Sequence, residues 1–470
     1  MLHRSNHCGS FPKLLFNYYA YRRGLPASTT KIKMERGWDI RYSSGNHPVE
    51  VISSMPFDGD FSDYINRGMN GYKGWWNFVT GNFRTAPFLE DTDSVPIKID
   101  RDSVKPGTFV YKGDGHALVT SKIDDSGEVH FLDSHPGGSI TFNQTLSAIP
   151  FVKRWSEDAS EASLKRAYDG FRSMRFSKVE DGRVRYFTNE EMKEFEFSIE
   201  QYKTMEKMRA VRDGVGLEVN GKFVKKYSQL VRARLQLGDE SPVSFLELSS
   251  QELGNMFRER ASFVDEAWNE VLRGGAIVFP NDSSSENIYQ ANGRWEVWSS
   301  PSSDIDRKNK YDYIGDRLEE MIVGFPDLKG VDYQGFDSRD ELITALIDLK
   351  ERNFALEVFH YENSSGESFG LNLNDVEERL FDLSFDPNHP PELRWGAPEG
   401  SLERGGMKMI STPLKSGRIL GTLESYDLER GLRFVPERQN DSTSLDSSDS
   451  PSEPPFDLIK PRLERLVEAM

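Results

Sequence analysis

The chain has 470 residues, a length that at roughly 150 residues per domain leaves room for about three domains. Its 59 Lys and Arg against 76 Asp and Glu leave a net charge of −17, which disfavours a grip on nucleic-acid phosphates, because that affinity comes from cationic contacts. A hydrophobic fraction of 37% with 30 Phe, 17 Tyr and 8 Trp is the composition of a folded chain with a polar surface, no window approaches the roughly 18 apolar residues of a membrane span, and the one cysteine, Cys8, excludes an internal disulfide framework and a Cys-based zinc site.

From residue 10 to 25 the positions Phe11, Leu14, Leu15, Tyr18 and Tyr21 recur at three- and four-residue steps, which predicts a helix that buries this face and stops at Gly24 and Pro26. Cys8 then stands at the mouth of that helix. Residues 29–102 are rich in glycine turns, carry Trp75 and Trp76, and read as an irregular insertion with short elements. Strands at 108–111 and 116–123, a turn at 125–127 and a strand at 128–133 form an antiparallel meander. Beyond residue 140 the spacing becomes helical at 157–171, 190–212, 223–235, 242–272, 304–322 and 337–353. Asn220-Gly221 between alternating apolar residues interrupts the helices with a hairpin at 217–224, and short strands are expected at 275–279 and 355–361. Residues 439–455, rich in Ser, Asp and Pro, read as a disordered linker. Behind it Ile459, Leu463, Leu466 and Met470 line one face of a helix with Pro461 near its first turn, and that face is expected to dock on its own chain.

Three separated residues carry the types of a thiol nucleophile, its base and an orienting group: Cys8, His116 and Asp133. A helix N-terminus favours thiolate through its partial positive charge and its unpaired N–H groups, and a neighbouring imidazolium favours it further. His116 would share a proton with Cys8, and Asp133, one strand and a turn later, would hold the imidazole in the productive tautomer. Taken singly, each has a plainer reading: a small buried thiol, a histidine beside a turn and a strand terminator. Their conjunction is what points to chemistry.

The segment Asn6-His-Cys8-Gly-Ser-Phe-Pro, running into its aromatic helix, resembles the nucleophile helix of the NlpC-type, papain-like cysteine peptidases and amidases. The stretch Pro106-Gly-Thr-Phe-Val-Tyr-Lys-Gly-Asp-Gly-His116-Ala-Leu-Val, followed by Phe131-Leu-Asp133-Ser-His135-Pro, is similar to the histidine strand of that family and the polar third residue after it. The resemblance implies an α+β, papain-like (NlpC-like) domain at 1–145, with Cys8 as nucleophile, His116 as base and Asp133 as orienter. The third role is commonly His or Asn in the family, so His135 competes with Asp133 for it. A mainly helical region at 146–438, the linker at 439–455 and an amphipathic helix at 456–470 would follow.

The function expected on this basis is hydrolysis of amide bonds through an acyl-enzyme at Cys8, with peptide or bacterial cell-wall peptide as the substrate and no cofactor. A thiol acyltransferase and an inactive binding or scaffold protein are the alternatives. Trp75, Trp76 and His135 are weak candidates for substrate contact, and the two tryptophans suit core packing as well. A cell-wall substrate further requires an export leader upstream of Met1; otherwise the protein is expected to be cytoplasmic. Gly216 to Lys222 has the outline of a phosphate loop, but Phe223 replaces the hydroxyl residue that would bind magnesium and the motif crosses the expected hairpin. His130, Asp133 and His135 do not make a metal site, because alternation sends His130 to the other face. Asp386, His389, Glu392 and Arg394 form a polar cluster beside Trp395 that suits a loop held by ion pairs as well as a second site.

Overall fold

The computed structural model describes residues 8–33, 47–54, 89–90, 92–111, 117–134, 140–143, 170–210, 216–280, 288, 293–410 and 458–468. The chain is α+β and divides into two units, Met1–Gly238 and Asp239–Met470. The first unit therefore continues well past residue 145, because later segments complete its sheet and cover it.

In the first unit α1 (Ser10–Arg23) ends on Gly24, whose left-handed φ of 64° lets its N–H reach the carbonyls of Ala20 and Tyr21. Next, β1 (Ala27–Lys33) and β2 (His47–Ser54) pair antiparallel inside the stretch expected to be irregular. A six-stranded sheet follows, made of β3 (Ser94–Pro96), β4 (Phe109–Tyr111), β5 (Ala117–Ile123), β6 (Val129–Ser134), β7 (Ile140–Asn143) and β8 (Gly170–Met174). Its order is β3-β8-β4-β5-β6-β7, antiparallel throughout. The β4-β5-β6 meander is the one its turn at 125–127 predicts. Residues 157–169 of the helix expected over 157–171 lie outside the described ones, and its last two residues, Gly170 and Phe171, belong to strand β8. All five residues of β8 are buried, so no one-sided alternation marks it as a strand, and pairing to both β3 and β4 overrides local spacing.

Successive side chains divide the sheet into two faces. Phe109, Tyr111, Ala117, Val119 and Met174 form one cluster with Phe11 of α1, and Phe16 and Leu132 pack against it. Val110, Leu118, Phe131 and Phe171 point the other way, into a second cluster. Between β8 and the helices covering that face come the hairpin of β9 (Ser177–Glu180) and β10 (Arg183–Tyr186), then α2 (Asn189–Lys193), started by a Thr188/Glu191 capping box. The second cluster is closed by Tyr202 of α3 (Glu200–Ala210) and by Tyr227, Leu230 and Val231 of α4 (Tyr227–Leu235). β11 (Leu217–Val219) and β12 (Lys222–Val224) form the expected hairpin, with Asn220 and Gly221 at φ 50° and 77°. The phosphate-loop outline is thus a β-turn. The run expected as one helix at 190–212 is split into α2 and α3, and the one at 223–235 starts only after β12.

Gln201 of α3 acts inside the sheet: its Nε2 donates to the carbonyls of Ile97 (3.0 Å) and Phe171 (2.8 Å), and its Oε1 accepts from the N–H of Phe171 (3.1 Å) and the hydroxyl of Tyr227 (3.0 Å).

The second unit is built on the 33-residue α5 (Pro242–Gly274), with Ser241 capping its start and Pro242 in the first turn. α6 (Arg294–Trp298), α7 (Pro301–Val323), α8 (Arg339–Phe354), the hairpin of β13 (Glu357–Glu362) and β14 (Ser368–Asn372), α9 (Leu373–Glu378), α10 (Pro391–Arg394) and α11 (Ile459–Glu468) follow. Residues 275–279, expected as a strand, form no continuous strand, with Phe279 in an isolated bridge. Ile459 and Leu463 of α11 are buried in the main cluster with α5, α7 and α8. Lys460 pairs with Glu351, and Arg462 with Asp316 and Glu319. The final helix docks on its own chain, as its apolar face predicts. Among the described residues no helix is long and apolar enough to cross a membrane.

Candidate active site

Cys8 is half-buried and precedes Gly9, the N-cap of α1. The first turn of α1 holds no acidic side chain and its last turn holds Arg22 and Arg23, so the positive end of the helix acts on Cys8 unopposed by a carboxylate of its own turn. α1 lies on the β4-β5-β8 face, and Phe11, three residues after Cys8, shares a cluster with Ala117, the first residue of β5. His116, His135, Trp75 and Trp76 lie outside the described residues.

Asp133 is described and buried, in β6, opposite Thr141 of β7. Because Leu132 packs with α1 while Phe131 belongs to the other cluster, alternation turns Asp133 to the sheet face away from α1. The residue that shares Leu132's face is Ser134, which is fully buried and whose Oγ finds no hydrogen-bond partner among the described residues. Ser134 stands between the ionisable Asp133 and His135, and nothing in its residue type marks it beside them. His130 turns its Nε2 to Asp124 Oδ2 at 2.5 Å, back toward the meander's own turn.

The seating of α1 differs from expectation. Leu15 and Tyr18 of the apolar stripe are exposed at 37% and 48%, and the helix instead buries Lys13 (1%), Asn17 (2%) and Ala20 (2%) along with Phe11. Lys13 Nζ lies 3.3 Å from Asp93 Oδ1 and donates to the carbonyl of Ser28 in β1. Asp93, wholly buried, also accepts from the N–H of Thr30 (2.8 Å) and from the Tyr186 hydroxyl. Burial pushes the Lys13 ammonium below its ordinary pKa, opposed by Asp93, and burial followed by the charge of Asp93 pushes the Tyr186 phenol well up. A partner 80 positions away in sequence is what makes the polar face the inner one. A helical wheel alone assigns that face to solvent.

In the second unit the cluster around Trp395 is buried, and two of its members, Asp386 through its N–H and His389 through Nδ1, meet on Ser384 Oγ. Asp386 accepts from the N–H and side-chain amide of Asn388, Glu392 accepts from Ser364, and Arg394 donates to Ser300 Oγ. Arg260 holds Asp304 with bonds of 2.7 and 3.0 Å, and Arg307 adds a third at 3.0 Å. Burial and the like charge of Arg260 bring Arg394 down to about 9. These groups hold a buried loop together. Among the described residues no group of His, Cys, Asp and Glu is arranged to hold a metal ion.

No protein-family model, curated protein or solved structure matches this chain.

Proposed function

We propose that the first unit is a papain-like thiol hydrolase of amide bonds, with peptide, and cell-wall peptide in particular, as its substrate. The reading is supported by one observation above the rest: the helix that begins beside Cys8 lies on the strand that begins directly after His116, with Phe11 and Ala117 in one cluster. In the proposed reaction the Cys8 thiol gives its proton to His116, and the thiolate adds to the amide carbonyl carbon. The C–N bond breaks as His116 returns that proton to the leaving amine, and water, deprotonated by His116, then hydrolyses the thioester. Helix N–H groups beside Cys8 offer the oxyanion its donors.

The test uses the single thiol. Iodoacetamide should alkylate Cys8 faster than free cysteine at neutral pH, by about tenfold for a thiol pKa one unit lower, and His116→Ala should remove the advantage. Equal rates in wild type and His116→Ala would overturn the pairing. Faster release of product with added amine than with water alone would move the chemistry to acyl transfer.

A further inference from the structure

Helix α11 meets the second unit through three kinds of contact at once. Ile459, Leu463 and Leu466 stand at i, i+4 and i+7, one stripe of an α-helix, with the first two buried in the main cluster and the third packed against it. The N–H of Ile459 donates to Glu377 Oε1 of α9 at 2.9 Å. Glu377 is itself buried and paired with Lys350 at 2.9 Å, so a fixed carboxylate meets the positive end of the helix. On the flanks Arg462 bonds Glu319 Oε2 and Asp316 Oδ1 of α7, each at 2.7 Å, and Lys460 pairs with Glu351 of α8.

The groove is cut to this helix. Gly315 of α7 stands beside Arg462, and a Cβ there would come within 2.9 Å of Arg462 Nη1. Glycine weakens a helix interior, and here its missing side chain leaves the guanidinium its place. α11 has ten residues, fewer than an isolated helix needs to hold in water. It therefore forms as it docks, and it docks or leaves as one piece. Residues 411–457 join it to the rest of the unit. Such a length of chain extends to roughly 150 Å, several times the radius of gyration of about 17 Å for a unit of this size. The helix has the reach to enter the groove of a neighbouring molecule as well as its own.

We infer that the groove of α7, α8 and α9 is a docking site for the C-terminal helix of a second copy of this chain. Two copies exchange these helices and make between molecules the contacts that one molecule makes within itself. In dilute solution the tether favours the home groove; weakening the home contacts favours exchange.

The experiment uses two full-length variants. Arg462→Glu keeps the acidic groove and reverses the helix charge, whereas Asp316→Lys/Glu319→Lys keeps the helix and reverses the groove. Each alone should be monomeric by light scattering, because neither helix matches a groove of its own kind. Mixed in equal amounts they match crosswise in both directions and should form a one-to-one dimer. A chain carrying all three substitutions matches itself again and should stay monomeric with the thermal midpoint of the wild type. A labelled peptide of residues 456–470 should bind the Arg462→Glu chain about tenfold more tightly than the wild type, whose groove its own helix fills. A mixture that stays monomeric would overturn the inference and leave α11 a helix that docks only at home. An Arg462→Glu chain that unfolds would overturn it as well, because the helix would then be a fixed part of the core.

Discussion

The guanidinium of Arg260 lies over the ring of Trp395, 4.6 Å from its centroid, and at the same time grips Asp304 through two hydrogen bonds. All three side chains are buried, and Arg260 also donates to the carbonyls of Ser384 and Arg394. One side chain on the long helix thus holds the loop of 383–397 through the Trp395 ring and the carbonyls of Ser384 and Arg394. Burial alone would push the Asp304 carboxyl up, but Arg260 and Arg307 hold it below its ordinary value.

Removing that group leaves Asp304 buried with one guanidinium fewer. Arg260→Met should therefore destabilise the second unit by about 3–5 kcal/mol, the usual cost of breaking a buried pair from one side. Urea unfolding measures it, and a loss under about 1 kcal/mol would show that Arg307 and Arg394 suffice.

Asp265 has the opposite electrostatic sign. Burial, then the neighbouring Glu362 and Glu266, raise its carboxyl from 3.8 to about 6. A carboxyl with a raised folded pKa binds its proton more tightly when folded, so its ionisation costs stability as pH climbs from about 4 through 6. The residue nonetheless keeps more than about a third of its surface in solvent, and solvent screening reduces the effect to at most about 1 kcal/mol. Asp265→Asn should raise the thermal midpoint at pH 7 and leave it unchanged at pH 4. A gain of equal size at both values would contradict the assignment.

The third role at the thiol site can be ranked by activity. If an orienting group acts from the α1 face of β6, Ser134→Ala should lower kcat more than Asp133→Asn does. If Asp133 orients His116, Asp133→Ala should lose more than Asp133→Asn, and His135→Ala little. A dominant loss in His135→Ala would bring the site to the pattern common in the resembling family.

The C-terminal helix is held by few apolar side chains, of which Leu463 is wholly buried and Leu466 only partly so. Leu463→Ala should cost about 2–4 kcal/mol and Leu466→Ala less. Denaturant titration of both variants checks the order, and equal losses would mean the helix is seated mainly by Arg462 and Lys460.

Local chemistry was legible wherever it sufficed. Asn220-Gly221 dictated a hairpin, the turn at 125–127 dictated β5 and β6, and the long periodic runs became α5, α7 and α8. What stayed hidden depends on partners distant in sequence. β8 is a strand because β3 and β4 flank it, and Lys13 faces inward because Asp93 waits there. Cys8 was found at the start of its helix and Phe11 was rightly read as buried, but the exposure of Leu15 and Tyr18 and the burial of Lys13 and Asn17 were not legible from the apolar spacing. Asp133 was placed on the right strand; which side of the sheet it faces is set by the cluster that Leu132 joins.

Gln201 reaches the main chain of both Ile97, the residue after β3, and Phe171 of β8, where the Ile97 N–H already donates to the Phe171 carbonyl. Its amide adds a donor and an acceptor to that pair in the manner of a peptide unit. Glutamate has the same shape but would aim a carboxylate at the Ile97 and Phe171 carbonyls, and asparagine falls one methylene short of them. Position 201 is therefore chemically restricted to a single residue type although it lies on a helix, where exchange among polar side chains is ordinarily free.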